Sequence, residues 1–233
     1  MLNIITIEAR DLPDLWFQAL YNILEKGRKF KIDSGSFTGE DRLEYDYFIG
    51  HVKFPGTRPL IPEIPQHLNI PAPVSEEYIF GGPGIERSYL DYLMTDLKAD
   101  GEEYTYGSRL YFQIDEIIDK IKKYGHRNNQ LILQVAEPTD IYLNDPPCLR
   151  HIQCRIQDNK LHFFVYFRSW DLYSGLPANL AGIQIMKELI ANEVGVEDGE
   201  MIVNSGGLHI YGYAEELVKI RCYKNDRGPD KNS

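Results

Sequence analysis

Cysteine is scarce in this chain, and the few thiols present exclude two kinds of scaffold. The 233 residues include three cysteines, Cys148, Cys154 and Cys222. Their odd number, with no Cys-x-x-Cys pair, argues against a disulfide framework and against a zinc site built from cysteines. Unpaired thiols suit a reducing compartment, so we expect a cytoplasmic protein.

Basic residues and long apolar runs are also in short supply. Lys and Arg number 25 against 35 Asp and Glu, which gives a net charge of -10. Nucleic-acid binders need a basic footprint, so we expect no stable nucleic-acid partner, although a few converging arginines could still hold a small phosphorylated ligand. No segment approaches the roughly 20 apolar residues of a membrane span, and the N-terminus lacks the pattern of a signal peptide. We therefore expect no membrane association.

The periodicities along the chain predict an α+β fold with a mixed or antiparallel sheet and packed helices. Helices are predicted at 11–27, 85–98, 114–124 and 177–194, and strands at 43–54, 131–135, 150–156, 161–168 and 208–213. Residues 55–74 hold six prolines and are expected to be irregular. No composition shift marks a boundary, so we predict a single domain over 1–233, with a disordered tail at 225–233.

The hairpin that follows Cys148 is the clearest local prediction. Asp158-Asn159 between two apolar runs favours a tight turn. Residues 161–167 are apolar on both faces, which is typical of a strand in the centre of a sheet.

Cys148 stands directly after Pro146 and Pro147, with Arg150 close behind it. A lone cysteine is more often an inert buried residue, and that alternative stays open. The two prolines, however, fix the backbone in an extended form before the thiol. A nearby guanidinium favours the thiolate, so the segment is a candidate nucleophile.

The stretch FRSWDLYSGLPANLAG carries polar groups to the end of a predicted buried strand. Arg168 is costly to bury there unless it meets an anion, and Ser169 adds a hydroxyl donor. Asn179 is either a helix cap or a carboxamide whose donor and acceptor match the edge of a pyrimidine. His209 and Tyr211 lie two apart on one face of a predicted strand, where together they could hold a hydroxyl. A single strand histidine would more often be structural.

In this order, the segments resemble the thymidylate synthase family. The resemblance covers roughly residues 145–213, as Pro-Pro-Cys, Gln153, Arg-Ser-x-Asp, Gly-Leu-Pro-x-Asn and His-Ile-Tyr. Further upstream, Tyr106-Gly107 is similar to the family's Tyr-Gly segment, and residues 77–80 are similar to its Glu-Leu-Leu-Trp segment. The short length and the HIYGY ending are closer to the compact archaeal branch. The resemblance implies the α+β fold of that family and a homodimer formed by packing sheets back to back.

The implied reaction is the reductive methylation of deoxyuridine monophosphate (dUMP) to thymidylate (dTMP). Cys148 would add to C6 of the uracil ring, which makes C5 a nucleophile. The one-carbon unit and the hydride would come from a reduced pterin, either 5,10-methylenetetrahydrofolate or methylenetetrahydromethanopterin. No metal is needed.

The resemblance also implies roles for the other site residues. Arg168 and Ser169 would bind the phosphate, and Arg168 would also favour the thiolate of Cys148. Asn179 would read the uracil N3–H and O4, a pattern opposite to that of cytosine. His209 and Tyr211 would hold the 3′-hydroxyl.

Five further residues complete the implied site. Gln153 would lie beside the nucleotide, and Asp171 would contact the pterin and, through its backbone, the uracil. Tyr106 would assist removal of the C5 proton, and Glu77 would organise water near O4. Arg127 is the candidate for the phosphate arginine that the second subunit lends.

Departures from the family pattern keep two alternatives open. Leu149 and Phe167 stand where the family has His and Gln, and Gly207 stands where it has Asp. The N-terminal phosphate arginine has only Arg28 or Arg42 as counterparts, and we expect no long C-terminal segment over the pterin. One alternative is a deoxypyrimidine nucleotide hydroxymethyltransferase, with the same cysteine addition but no hydride transfer. The other is a nucleotide- or RNA-binding homologue without turnover.

Overall fold

The computed structural model describes residues 1–33, 38–126 and 129–224. Within these ranges the strands are β1 (Ile4–Ala9), β2 (Arg28–Lys31), β3 (Asp41–Glu44), β4 (Tyr47–Val52), β5 (Ile132–Gln134), β6 (Leu149–Gln157), β7 (Lys160–Phe167), β8 (Trp170–Asp171), β9 (Glu197–Ser205) and β10 (Leu208–Tyr211). The α-helices are α1 (Leu12–Lys26), α2 (Glu76–Phe80), α3 (Tyr89–Met94), α4 (Tyr106–Tyr124), α5 (Gly175–Val194) and α6 (Gly212–Arg221). Short 3-10 helices cover Gln66–Leu68 and Pro138–Tyr142.

Two mixed sheets organise these elements. The larger has six strands in the order β1-β4-β9-β7-β6-β5, and the smaller has four in the order β2-β3-β10-β8. In the larger sheet, β1 runs parallel to β4 and β7 parallel to β9, while the other neighbours are antiparallel. The α+β class with a mixed sheet is therefore confirmed, and β7 occupies the central position expected of it.

Helices cover one face of the larger sheet. Helices α1, α4 and α5 contact its strands, and the side chains that alternate inward belong to one contiguous buried cluster. The intervening side chains form the opposite face, where strand register aligns Ile49, Asn204, Tyr166 and His151 in one row and His51, Ile202, Phe164 and Gln153 in the next. These residues are only half-buried in the single chain, and we call this surface the open sheet face.

Local chemistry explains where helices α1 and α4 begin. Asp11 accepts a hydrogen bond from the backbone N–H of Asp14 at 3.0 Å and caps α1. Thr105 and Ser108 form a reciprocal capping box, with hydrogen bonds of 3.0 and 2.9 Å, so α4 begins at Tyr106. The sequence pattern predicted α4 only from 114, although Tyr106 and Leu110 extend its buried face towards the N-terminus.

Three predicted elements needed correction. The single strand predicted at 43–54 is two strands in different sheets, because the chain turns at Asp46, which accepts from the backbone of Asn3 and pairs with Arg28 at 2.9 Å. The helix predicted at 85–98 is the shorter α3, which starts after its Ser88 cap and ends before Thr95. The strand predicted at 208–213 ends at Tyr211, where α6 begins.

The structure leaves two further predictions untested. The tail at 225–233 lies outside the described residues, and the single-domain assignment stays a prediction. Within the ranges given above, no helix has both the length and the apolarity that a membrane span requires.

Candidate active site

Cys148 lies immediately before β6. A backbone hydrogen bond joins it to Arg168, the residue that follows β7. Its carbonyl accepts a hydrogen bond from the N–H of Arg168 at 2.8 Å. The Arg168 guanidinium donates from Nε to the carbonyl of Pro147 at 3.3 Å and from Nη2 to that of Pro146 at 2.5 Å. The half-buried thiol is therefore held beside an arginine that its own two prolines help to position.

The electrostatics around Cys148 differ from the prediction. Burial raises the pKa of the Cys148 thiol above its ordinary 9.0, although Arg168 and, more weakly, Arg150 act to lower it. Arg150 has another partner, since its Nη1 lies 3.1 Å from Oδ2 of the buried Asp140, which also pairs with Arg109. In this structure the thiol form is favoured, and the expected stabilisation of the thiolate by Arg168 is outweighed by burial.

Tyr106 is the first residue of α4, and its hydroxyl lies against the strand that follows the cysteine. It accepts a hydrogen bond from the N–H of Leu149 at 3.3 Å, and the residue is 8% exposed. Burial raises the pKa of Tyr106 well above its ordinary 10.0. The phenol therefore keeps its proton next to the nucleophile candidate.

Asn179 lies in α5, and its side-chain amide is fixed from both sides. Oδ1 accepts a hydrogen bond from Trp170 Nε1 at 2.8 Å, and Nδ2 donates one to the hydroxyl of Tyr89 at 2.8 Å. The indole N–H can only donate, which settles which amide atom faces it. A carboxamide has two acceptor sites and two N–H donors, so one of each stays available to a ligand. Asn179 is not the helix cap that was the alternative reading.

Asp171 takes that capping role. Its Oδ1 accepts from the N–H of Tyr173 at 3.0 Å, and its Oδ2 accepts from those of Ser174 and Gly175 at 3.1 and 3.0 Å. A carboxylate at the start of a helix satisfies N–H groups that have no intrahelical partner and interacts favourably with the helix dipole. Asp171 thus stabilises the start of α5, in addition to any contact that it makes with a ligand.

An open cleft of about 390 Å³ lies next to Asp171 and Asn179. Its other lining residues are Pro73, Val74, Ser75, Tyr78, Ser174, Gly175 and Ala178. The wall is largely apolar, with one carboxylate and one carboxamide. This composition suits a flat heterocycle with a few polar edges.

His209 and Tyr211 lie on the same face of β10, as predicted. Their rings are 4.8 Å apart and nearly perpendicular. Nδ1 of His209 is 3.0 Å from the carbonyl of Gly207, which can only accept, so Nδ1 carries the proton. Burial lowers the pKa of His209 and keeps the ring neutral. Its Nε2 is buried and finds no hydrogen-bond partner within the described part of the chain.

These residues form one neighbourhood. β10 pairs with β8 in parallel register, so that His209 lies beside Asp171. Burial raises the pKa of Tyr211 to about 12, and both Asp171 and Cys148 contribute to that shift. Tyr211 is therefore within electrostatic reach of the cysteine and of the cleft.

The structure says less about four other predicted site residues. Ser169 is half-buried between Arg168 and β8, and Gln153 lies on the open sheet face. Glu77 is exposed on α2, and among the described residues its carboxylate has no hydrogen-bond or ion-pair partner. Arg127 lies outside the described residues. The proposed roles of these four, like those of the other site residues, stay predictions.

Sequence reasoning missed the two residues that fix Asn179. Trp170 lies inside the quoted FRSWD stretch, but nothing in the pattern predicted that its N–H would meet the carboxamide. The only sequence signal at Tyr89 was its place on the apolar side of the helix predicted at 85–98. Across the ranges that the structure describes, no three His, Cys, Asp or Glu side chains group so that they could hold a metal ion.

Comparison with known sequences identifies the family of the chain. The sequence model of the thymidylate synthase family matches residues 95–230, which is more than half of the chain. The chain belongs to the thymidylate synthase family.

Individual relatives extend the likeness over most of the chain. A protein of Methanothermobacter thermautotrophicus that bears the provisional name of a thymidylate synthase is 29% identical over 224 residues, covering 92% of this chain and 98% of that protein. A Methanosarcina mazei protein with the same provisional name is 28% identical, covering 91% and 92%. The thymidylate synthase of Listeria monocytogenes is 38% identical over 109 residues, 46% of this chain and 35% of that enzyme.

Proposed function

We propose that the chain is a thymidylate synthase that converts dUMP to dTMP by reductive methylation. The observation that carries the proposal is the amide of Asn179, which Trp170 and Tyr89 hold in one orientation. The candidate nucleophile Cys148 lies within electrostatic reach of Arg168. The free lone pair on Oδ1 matches uracil N3–H, and the free N–H on Nδ2 matches O4. Cytosine presents the opposite pattern, so the same amide would disfavour it.

Cys148 is the proposed nucleophile. Its sulfur would bond to C6 of uracil, and the electron pair of the C5–C6 double bond would move towards C5 and O4. The thiol proton must leave first, because burial favours the protonated form. When bound, the reduced pterin supplies the one-carbon unit and then the hydride. Departure of the sulfur from C6 restores the cysteine, and Tyr106 would assist loss of the C5 proton.

The remaining polar groups would hold the sugar and the phosphate. The unprotonated Nε2 of His209 would accept a hydrogen bond from the 3′-hydroxyl, with Tyr211 beside it. Arg168 and Ser169 would bind the phosphate, with Arg127 contributed by a second subunit. Gln153 would lie near the nucleotide.

The cleft at Asp171 is the proposed site of the pterin. Its apolar wall and exposed Tyr78 suit a flat ring, and Asp171 Oδ1 accepts a single hydrogen bond from the residues that the structure describes. Glu77 would organise water nearby. Either 5,10-methylenetetrahydrofolate or methylenetetrahydromethanopterin would serve as the donor.

A homodimer is part of the proposal. The open sheet face carries half-buried aromatic and aliphatic side chains, including Phe164, Tyr166 and Ile202. Two copies packed through this face would bury them and place one subunit's residues near the other's site. The cytoplasmic location expected from the sequence belongs to the same proposal.

The test is intact-protein mass after incubation with 5-fluoro-dUMP and each methylene donor in turn, with Cys148→Ala as the control. Fluorine at C5 cannot leave as a proton does, so a methyl-forming enzyme should trap itself through Cys148. A covalent species that carries nucleotide and pterin would support the proposal and name the donor. Nucleotide binding without any adduct would overturn it in favour of a binding protein, and a hydroxymethyl product from dUMP itself would indicate the hydroxymethyltransferase.

A further inference from the structure

Strand β3 supplies a carboxylate to the edge of the proposed sugar site. β3 pairs antiparallel with β10, which sets Glu44 opposite His209 and Arg42 opposite Tyr211. Residues directly opposite one another in such a pair have their side chains on the same face of the sheet. The Glu44 side chain is 13% exposed, and its Oε2 lies 2.9 Å from Nη2 of Arg42.

The Glu44 carboxylate fills a space that Gly207 leaves open. A Cβ built at position 207 would be 3.5 Å from the carboxyl carbon of Glu44 and from both of its oxygens. A carboxylate rooted at position 207 would therefore occupy the same region. The carbonyl of Gly207 is also the acceptor for Nδ1 of His209, at 3.0 Å. Glu44, Gly207 and the Nδ1 edge of the imidazole thus meet at one point.

The charge of Glu44 acts on a defined side of the His209 ring. Its Oε2 is 4.0 Å from Nδ1, too far for a hydrogen bond but close enough for a strong electrostatic interaction in a buried site. A negative charge there favours the tautomer with its proton on Nδ1. The opposite nitrogen, Nε2, is then an acceptor. His209 is 3% exposed, and its Nε2 has no hydrogen-bond partner among the residues that the structure describes. A buried acceptor of this kind points to a ligand that donates a hydrogen bond.

We propose that Glu44 is a positioning residue: from β3 it holds His209 in the Nδ1–H tautomer, so that Nε2 accepts a hydrogen bond from a hydroxyl of the bound nucleotide. The inference rests on the proposed function, in which that hydroxyl is the 3′-hydroxyl of dUMP. Burial raises the pKa of the Glu44 carboxyl above its ordinary value, while the ion pair with Arg42 at 2.9 Å acts to lower it and favours the charged form.

The test compares two ligands on several variants. Dissociation constants for dUMP and for 2′,3′-dideoxyuridine monophosphate, which lacks the 3′-hydroxyl, are measured by calorimetry. Glu44→Gln keeps the shape and removes the charge, and we expect it to weaken dUMP binding about 5-fold, the size of one hydrogen bond, while leaving the dideoxy ligand unchanged. Glu188→Gln, a carboxylate that pairs with Arg58 at 2.7 Å elsewhere, is the matched control and should change neither ligand.

A rescue experiment separates positioning from general damage. Gly207→Asp alone should weaken dUMP binding, because two carboxylates would compete for one space. In the Glu44→Ala background the same substitution should restore binding, since the new carboxylate takes the vacated position. A purely structural role for Glu44 would give two additive losses instead. The Gly207 carbonyl still favours Nδ1–H in Glu44→Gln. The share of the Nε2–H tautomer, read from the ring nitrogen shifts of His209 by NMR, should nevertheless rise in Glu44→Gln and fall again in the double variant.

The outcomes distinguish this inference from the function on which it rests. Wild-type protein that binds dUMP, with Glu44→Gln equal to it or equally weakened for both ligands, would overturn the role of Glu44 alone. Wild-type protein that does not bind dUMP would overturn the proposed function and the inference together.

Discussion

Asn179 donates a hydrogen bond from Nδ2 to the hydroxyl of Tyr89, 2.8 Å away and ninety residues earlier in the chain. Together with the bond from Trp170, it fixes the rotation of the amide before any ligand arrives. Preorganisation of this kind lowers the cost of ordering a recognition group on binding. In the proposed function Tyr89, which would not touch the substrate, would therefore contribute to base selection.

Tyr89→Phe should loosen this selection. The variant keeps the ring that packs against Tyr92 at 6.0 Å but removes the acceptor for Nδ2. Loss of one hydrogen bond, about 1 kcal/mol, should lower the preference for dUMP over dCMP about 5-fold, as measured by competitive binding. Tyr92→Phe is the matched control and should leave the preference intact. An unchanged ratio in Tyr89→Phe would mean that Trp170 alone holds the amide.

The reactivity of Cys148 should rise with pH at the alkaline end of the range. Because burial raises its pKa above 9.0, the thiolate fraction in the native protein is smaller at neutral pH than in the unfolded chain. Alkylation by iodoacetamide should therefore increase with pH to a midpoint above 9.0 in the native state, and the midpoint should be lower in denaturant.

Cys148→Ala is the control for that titration. The two other thiols are buried, and burial raises the pKa of Cys222 to about 11, so the variant should show only slow labelling. A native midpoint below that of the unfolded chain would show that Arg168 outweighs burial, contrary to the structure.

Parts of this fold follow from local sequence patterns. Helix α1 could be predicted because its apolar spacing and its Asp11 cap both lie within one continuous segment of the sequence. The turn between β6 and β7 could be predicted because Asp158 and Asn159 tolerate the positive φ angles of 51° and 58° that they adopt. Strand β9 was missed, because its first residues are acidic and it is stabilised by pairing with β4 and β7, which are distant in sequence.

The site divides in the same way. Motif order placed Cys148, Arg168, Asn179 and the His209–Tyr211 pair in one neighbourhood, and the structure brings these together. The partners that orient them could not be predicted, because Tyr89 and Glu44 reach the site only through tertiary packing and strand pairing. The capping role of Asp171 was equally hidden, since the helix start at Gly175 was not predicted.

Asp171→Ala should destabilise the protein more than an ordinary helix cap does. The carboxylate accepts three backbone hydrogen bonds at the start of the long, buried α5, and all three donors would lose their partner. We expect a loss of about 2 kcal/mol in the free energy of unfolding, measured with urea. Asp171→Asn keeps an acceptor and should lose less.

Asp11→Ala is the matched comparison, because Asp11 caps α1 with a single hydrogen bond. Its loss should be about 1 kcal/mol. Equal losses at the two positions would mean that the second and third bonds of Asp171 contribute nothing to stability. In that case the carboxylate would be retained for ligand binding alone.

The open sheet face gives the last prediction, which concerns assembly. Phe164, Tyr166 and Ile202 lie in adjacent registers there and are half-buried in one chain. In a symmetric dimer each copy would bring a charge at position 202 into the interface, and both charges would lose their hydration. Ile202→Asp should therefore convert the dimer to a monomer, as measured by sedimentation velocity. Ile141→Asp, at a residue that is 82% exposed, should leave the mass unchanged. Should Ile202→Asp remain dimeric, the subunits must meet through a different surface, and a phosphate arginine could not reach the neighbouring site from this face.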